Sequence, residues 1–214
     1  GGVLPDINAS DGAFSGPETD KGYWAVQWDA PLDANGQPIP TEVVSYPDNI
    51  RNFLNDYAFT TTNGVSISSG SEITNFRLSV NNMTHSGLIP NSDLHRNNVS
   101  LAASSKLSSS LTVSTDINFV NSWADNRPAA NRRSAPLQWA YAHPANIDIT
   151  KLQDYDTGGS DILRVSGNHE NPYFLANDVN NSFNRYRIFG NVVANWQITP
   201  AFSVMGRYTL NKSD

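Results

Sequence analysis

Val99-Ser100-Leu101-Ala102-Ala103 and, across a short joint between Lys106 and Ser110, Leu111-Thr112-Val113-Ser114-Thr115-Asp116-Ile117-Asn118-Phe119 alternate apolar with polar side chains. Successive side chains of a strand point to opposite faces, so Val99, Leu101, Leu111, Val113, Ile117 and Phe119 share an oily surface, while Ser100, Ser104, Thr112, Ser114, Asp116 and Asn118 share a wet one. The same period of two recurs upstream. There Val65, Ile67, Phe76, Leu78 and Val80 oppose Ser66, Ser68, Arg77, Ser79 and Asn81 across a turn at Ser69 to Glu72. It recurs again downstream. Ile188, Gly190, Val192, Ala194, Trp196 and Ile198, then Phe202, Val204, Gly206, Tyr208 and Leu210, flank a turn at Thr199-Pro200-Ala201; Phe189, Val193 and Met205 interrupt the opposite, polar face. Three hairpins are predicted, with strands over 64–69, 75–83, 98–105, 111–121, 186–198 and 202–211.

A soluble β-sandwich alternates too, so placement of charge has to separate lipid from water. The six spans hold only Arg77, Asp116, Arg187 and Arg207, against roughly nine charges for a chain that is 16% charged, and all four fall on the polar face, where a transmembrane barrel tolerates them. The joints are also asymmetric: tight within each hairpin, long between hairpins. Short turns on one side of a membrane and long loops on the other are the rule for outer-membrane barrels. The predicted fold class is therefore all-β, an antiparallel transmembrane β-barrel in part. Residues 1–58 read as a loop region ahead of the hairpins, with one helical turn at Pro47 to Asn55. Residues 59–214 read as the partial barrel, interrupted by a moderate loop at 84–97 and a long one at 122–185 with a short helix around Ser134 to Tyr141. Closed barrels need at least about eight strands. Two strands hidden in the irregular regions would supply the deficit, but the preferred expectation is that the rest of the wall lies outside these residues, the chain being a segment.

Composition narrows the function classes. A net charge of −6 and a pI near 5.1 argue against a nucleic-acid binder. The absence of Cys removes disulfides, thiolate metal sites and cysteine nucleophiles. No apolar run reaches the length of a membrane helix, which excludes helical spans alone. Asp33-Ala34-Asn35-Gly36 opens like a calcium loop but lacks the closing Glu, so a tight turn is expected. His85, His95, His143 and His169 show no metal-ligand spacing, and Gly158-Gly159-Ser160 lacks the flanks of a nucleophile elbow. The expectation is a protein that is not an enzyme, with no cofactor and no metal.

Candidate ligand-binding residues lie in the long loop. Trp123, Trp139, Tyr141, Tyr155 and Tyr173 offer flat faces that stack on sugar rings, although a loop aromatic more commonly packs its own loop. Asp125 and Arg127 suit either a substrate contact or an ion pair that ties the loop down. Trp196, beside a tight turn, suits an interfacial aromatic girdle.

Several of these runs also carry a family likeness. Tyr46-Pro47-Asp48-Asn49-Ile50-Arg51-Asn52-Phe53-Leu54, Val65-Ser66-Ile67-Ser68-Ser69-Gly70-Ser71-Glu72, Gly87-Leu88-Ile89-Pro90-Asn91-Ser92-Asp93-Leu94-His95-Arg96, Asp125-Asn126-Arg127-Pro128 and Asn171-Pro172-Tyr173 together resemble the early barrel of SusC/RagA-type TonB-dependent transporters. The resemblance implies a segment of an outer-membrane importer in a Gram-negative bacterium of the Bacteroidota. It further implies an oligosaccharide or peptide substrate, a SusD-like surface lipoprotein as lid, and energy from the TonB complex. The TonB box and plug of that family are not among these residues. Two other readings stay open: a soluble secreted β-sandwich that binds carbohydrate, and a fragment held as subunit or client of a larger outer-membrane assembly.

Overall fold

A computed structural model describes residues 18–131, 134–155, 164–166 and 169–214. Gly158-Gly159-Ser160 and the side chain of His169 lie outside what is described. The chain is mostly β, 49% strand and 12% helix. In order it forms β1 (Trp24–Ala25), β2 (Thr41–Glu42), α1 (Asn49–Phe53), β3 (Phe59–Gly70), β4 (Thr74–Ser86), β5 (Asp93–Lys106), β6 (Leu111–Ala124), α2 (Pro136–Ala142), a 3-10 turn (Ile149–Leu152), β7 (Arg164–Ser166), β8 (His169–Glu170), α3 (Pro172–Asn177), β9 (Phe183–Thr199) and β10 (Phe202–Ser213). No helix among the described residues is long and apolar enough to cross a membrane, which says nothing about strands.

The chain divides into two compact units. One comprises 59–86, 93–127 and 182–214, and it is a single antiparallel sheet in the order β10-β9-β6-β5-β4-β3. Every pairing joins the next long strand in the chain, so the sheet is an up-and-down meander. It is open rather than a closed barrel, with β3 and β10 as its edges. Serine hydroxyls build two of the tight turns: Ser71 Oγ accepts from the amides of Ile73 and Thr74, and Ser108 Oγ from those of Ser110 and Leu111.

The register carries the alternation through the middle of the sheet. Ile67, Leu78, Leu101, Ile117, Gly190 and Leu210 form one cross-strand row; Val65, Val80, Val99, Phe119 and Ile188 form the next. A core-facing row would be sealed from solvent. Here Leu101 is 36% exposed, Ile117 37% and Val192 42%, whereas Val193 on the opposite face is 8% exposed. The strands run two to five residues further at their loop ends than alternation of oil and water predicts, because there polar side chains break the period of two on the oily face. The long loop shortens accordingly to 125–182 and the moderate one to 87–92.

The other unit comprises the described parts of 1–58, 87–92 and 128–181. Segments expected as separate loops thus condense around their own core, in which Phe53, Ala140, Ile147, Ile149, Leu152, Tyr173 and Ala176 are buried. Apolar burial is not enough to order such short elements, so buried amides splice them. Asn49 Nδ2 donates to Ile147 O while its Oδ1 accepts from Ile149 N. Asn171 Nδ2 donates to Leu152 O and its Oδ1 caps α3 by accepting from the amides of Tyr173 and Phe174.

Candidate functional site

Strand parity sorts the sheet into two chemically different faces, and the candidate residues take their meaning from that sorting. On the oily face, the row beyond Val65 to Ile188 is amide: Asn63, Asn82, Asn97 and Asn121 stand in register across β3 to β6, followed by Tyr186 on β9. Asn82 Nδ2 donates to Asn97 Oδ1 at 2.7 Å, and Asn121 Nδ2 to Asn184 Oδ1 at 2.7 Å. This hydrogen-bonded amide row ends the apolar belt on its loop side. At the turn side Trp196, Ile198 and Phe202 are exposed.

The other face carries mainly hydroxyls, amides and guanidinium groups, interrupted by Leu94, Val120, Phe183, Phe189, Val193 and Met205. Ser66, Ser79, Ser100 and Asn118 share a row, with Ser100 Oγ donating to Asn118 Oδ1 at 2.7 Å. Arg77, Arg96, Arg185, Arg187 and Arg207 all project from this face and are exposed. Asp116 is the one acidic side chain among the strand residues there. Arg96 and Arg185 were beyond reach of the sequence reading because the strands were expected to start at 98 and 186. Counting the period of two outward from Ser100 and Asn191 places both on the polar face.

Trp123, Asp125 and Arg127 come together at the loop end of β6. The Trp123 indole stacks on the His95 ring, centroids 5.0 Å apart at 17°. Asp93 Oδ1 accepts from the amides of Asp125 and Asn126 at 3.1 and 2.9 Å, and Asp93 Oδ2 lies 3.0 Å from His95 Nε2. The Arg127 guanidinium sits over the Phe183 ring at 5.4 Å. Ligand atoms of Asp93, His95 and Asp125 fall within 4.8 Å of one another, but Asp93 is already engaged by two backbone donors and the imidazole. The arrangement is a clasp on the two ends of the strand pair, with the Asp125 carboxylate left at the surface.

Trp139 and Tyr141 lie in α2 of the other unit. Trp139 is 9% exposed and belongs to the packed interior, while Tyr141 is 60% exposed and presents a free face. Tyr173 is buried edge-on against Phe53 at 5.1 Å, its hydroxyl donating to Asn52 O and accepting from Gln153 Nε2; burial pushes its phenol pKa up. Tyr155 packs edge-on against Phe174 and its hydroxyl bonds Asp178. An open cleft of about 580 Å³ is lined by Pro47, Ile50, Arg51, Leu54 and Tyr57, within and beside the helical turn expected at Pro47 to Asn55, whose pattern by itself marks no cleft. Asp33 makes the expected tight turn: its carboxylate accepts from the amides of Gln37 and Asn35, which hold its pKa down, and Gly36 takes φ +77°.

Compared with protein-family models and with curated proteins, the chain matches none.

Proposed function

We propose that this chain is part of the wall of an outer-membrane β-barrel importer of the SusC/RagA type, its oily face against lipid and its hydroxyl-rich face toward a watery lumen. The observation that carries the reading is the bare apolar belt. Between Ile188 and Ile198 on β9 ten residues rise about 33 Å along the strand, or about 25 Å along the membrane normal at the ~40° tilt of barrel strands, which equals the roughly 25 Å apolar band such walls present. The amide row closes that belt on one side, and Trp196 and Phe202 lie where an aromatic girdle belongs. Thr115, on the oily face, donates its hydroxyl to Asn191 O at 3.0 Å, which spares lipid an unpaired polar group. The free edges of β3 and β10 would be met by neighbouring strands, because lipid satisfies no backbone group. In this reading the long connections between hairpins face outward, where a SusD-like lipoprotein would cover them, and TonB drives the transport of oligosaccharide or peptide.

Fractionation tests the wall. The protein should stay with washed outer membranes and be released by detergent as a folded species whose gel mobility changes on boiling. A folded monomer in buffer without detergent contradicts the proposal. Co-purification with a surface lipoprotein, and uptake abolished by loss of TonB, separate an importer from a passive subunit or client.

A further inference from the structure

We propose that the polar face of the sheet binds an anionic oligosaccharide, so that the importer's substrate is an acidic glycan; this rests on the reading of that face as the lumen. The chain as a whole is acidic, at −6, yet the polar face carries Arg77, Arg96, Arg185, Arg187 and Arg207 against Asp116 alone. That excess of cations over anions on one face of an acidic chain makes the face the electrostatic complement of a negatively charged ligand.

Three of the five converge. Arg96 and Arg185 occupy one register row through Ser122, on strands two apart, which places their backbones about 10 Å from each other. Arg187 follows Arg185 by two residues, about 7 Å along β9. Among the described residues no carboxylate forms an ion pair with any of the five. Their partners are neutral: Arg96 Nε donates to Ser122 Oγ at 3.3 Å, Arg187 Nε to Asn211 Oδ1 at 3.1 Å, and Arg77 Nε to Ser79 Oγ at 3.4 Å. Such contacts orient a guanidinium and leave its terminal N–H groups available, and a planar fork of that kind matches carboxylate and sulfate oxygens.

The surroundings favour a sugar over a peptide. Ser100, Asn118, Asn191 and Thr209 supply hydroxyl and amide groups that exchange hydrogen bonds with sugar hydroxyls. Phe189, an apolar side chain on the same face, is capped by the Arg187 guanidinium at 4.8 Å.

The test uses the intact protein in detergent and isothermal titration with three probes: a short oligogalacturonate, a neutral malto-oligosaccharide of equal length, and a poly-glutamate peptide. The oligogalacturonate should bind at least tenfold more tightly than either competitor, with an affinity that falls as salt rises. The combined variant Arg96→Gln, Arg185→Gln, Arg187→Gln should lose at least tenfold of that affinity while keeping its heat-modifiable gel mobility, and a control carrying Lys21→Gln and Lys212→Gln should lose none. Equal binding of the neutral oligomer, preference for poly-glutamate, or undiminished affinity in the triple variant each overturns the inference. An inserted, folded protein that ignores oligogalacturonate removes the substrate class and leaves the wall standing; a protein that does not enter membranes removes both.

Discussion

Replacing Val192 by Arg probes the environment of the oily face at its deepest point. Val192 lies four residues from Ile188 and six from Ile198 on β9, so with a strand rise of about 3.3 Å and a tilt of about 40° it stands about 10 Å and 15 Å from the two limits of the belt. That is within about 3 Å of the bilayer midplane, where an arginine on the lipid face costs about 2–4 kcal/mol. Each 1.4 kcal/mol is a factor of ten, so the folding constant should drop roughly thirty- to several-hundred-fold. Ile188→Arg, at the belt's limit, should cost only about 0–1 kcal/mol. Asn191→Arg, one residue away on the polar face, should be nearly neutral. Urea titration of the intact protein folded into lipid vesicles, followed by tryptophan fluorescence, measures all three. If the face met water, Val192→Arg would cost almost nothing, because the valine is already 42% exposed. A neutral Val192→Arg, or equal costs at 188 and 192, refutes the reasoning.

Three further outcomes follow from contacts within each unit. A Cβ on Gly190 would meet Asp116 O at 2.1 Å and the Ile117 Cα at 2.8 Å, both backbone; Gly190→Ala should force β6 and β9 apart and cost about 1–3 kcal/mol in the same titration. Gly206→Ala, which meets nothing within 4 Å, should stay within about 0.5 kcal/mol. Asn171→Ala leaves Leu152 O unpaired and uncaps α3, so amide exchange should report the loop-side unit weakened by about 2–3 kcal/mol, with no effect on the sheet. Asp20, held down by the Ser45 hydroxyl and amide, and Asp33, held down by the amides of Gln37 and Asn35, have depressed folded-state pKa values. Their stabilisation is therefore complete above the ordinary aspartate pKa and is lost as pH falls through the depressed values. Carboxyl-carbon NMR titration should find both midpoints below the ordinary aspartate value; midpoints at or above it contradict the turn geometry.

What was legible in the sequence was whatever repeats locally. The period of two placed Val99, Leu101, Ile117, Phe119 and Val192 on one face, and their register bears this out. The serine-rich and proline-containing joints marked the tight turns. Strand ends were misjudged because Asn63, Asn82, Asn97 and Asn121 are polar at positions where the alternation calls for oil, so the pattern fades although the ladder of backbone hydrogen bonds continues. Arg96 and Arg185 were lost with those ends. The loop-side unit was illegible for a different reason. Phe53, Ile147, Leu152 and Tyr173 meet across about 120 residues of chain with no shared period, and the buried amides of Asn49 and Asn171 look in sequence like any turn residue. The same holds for the ring-bearing candidates: Trp139 and Tyr141 sit two positions apart in one helix, and only packing distinguishes the interior indole from the exposed phenol.

The chain contains no cysteine, which makes single-site labelling clean. Cysteines introduced one at a time at Ile117, Val192 and Val204 on the oily face, and at Asn118, Asn191 and Ser203 on the polar one, can carry an environment-sensitive fluorophore in vesicles of brominated lipid. The account predicts strong quenching at the first three positions and none at their neighbours. Equal quenching on both faces, or quenching confined to the polar face, would contradict it.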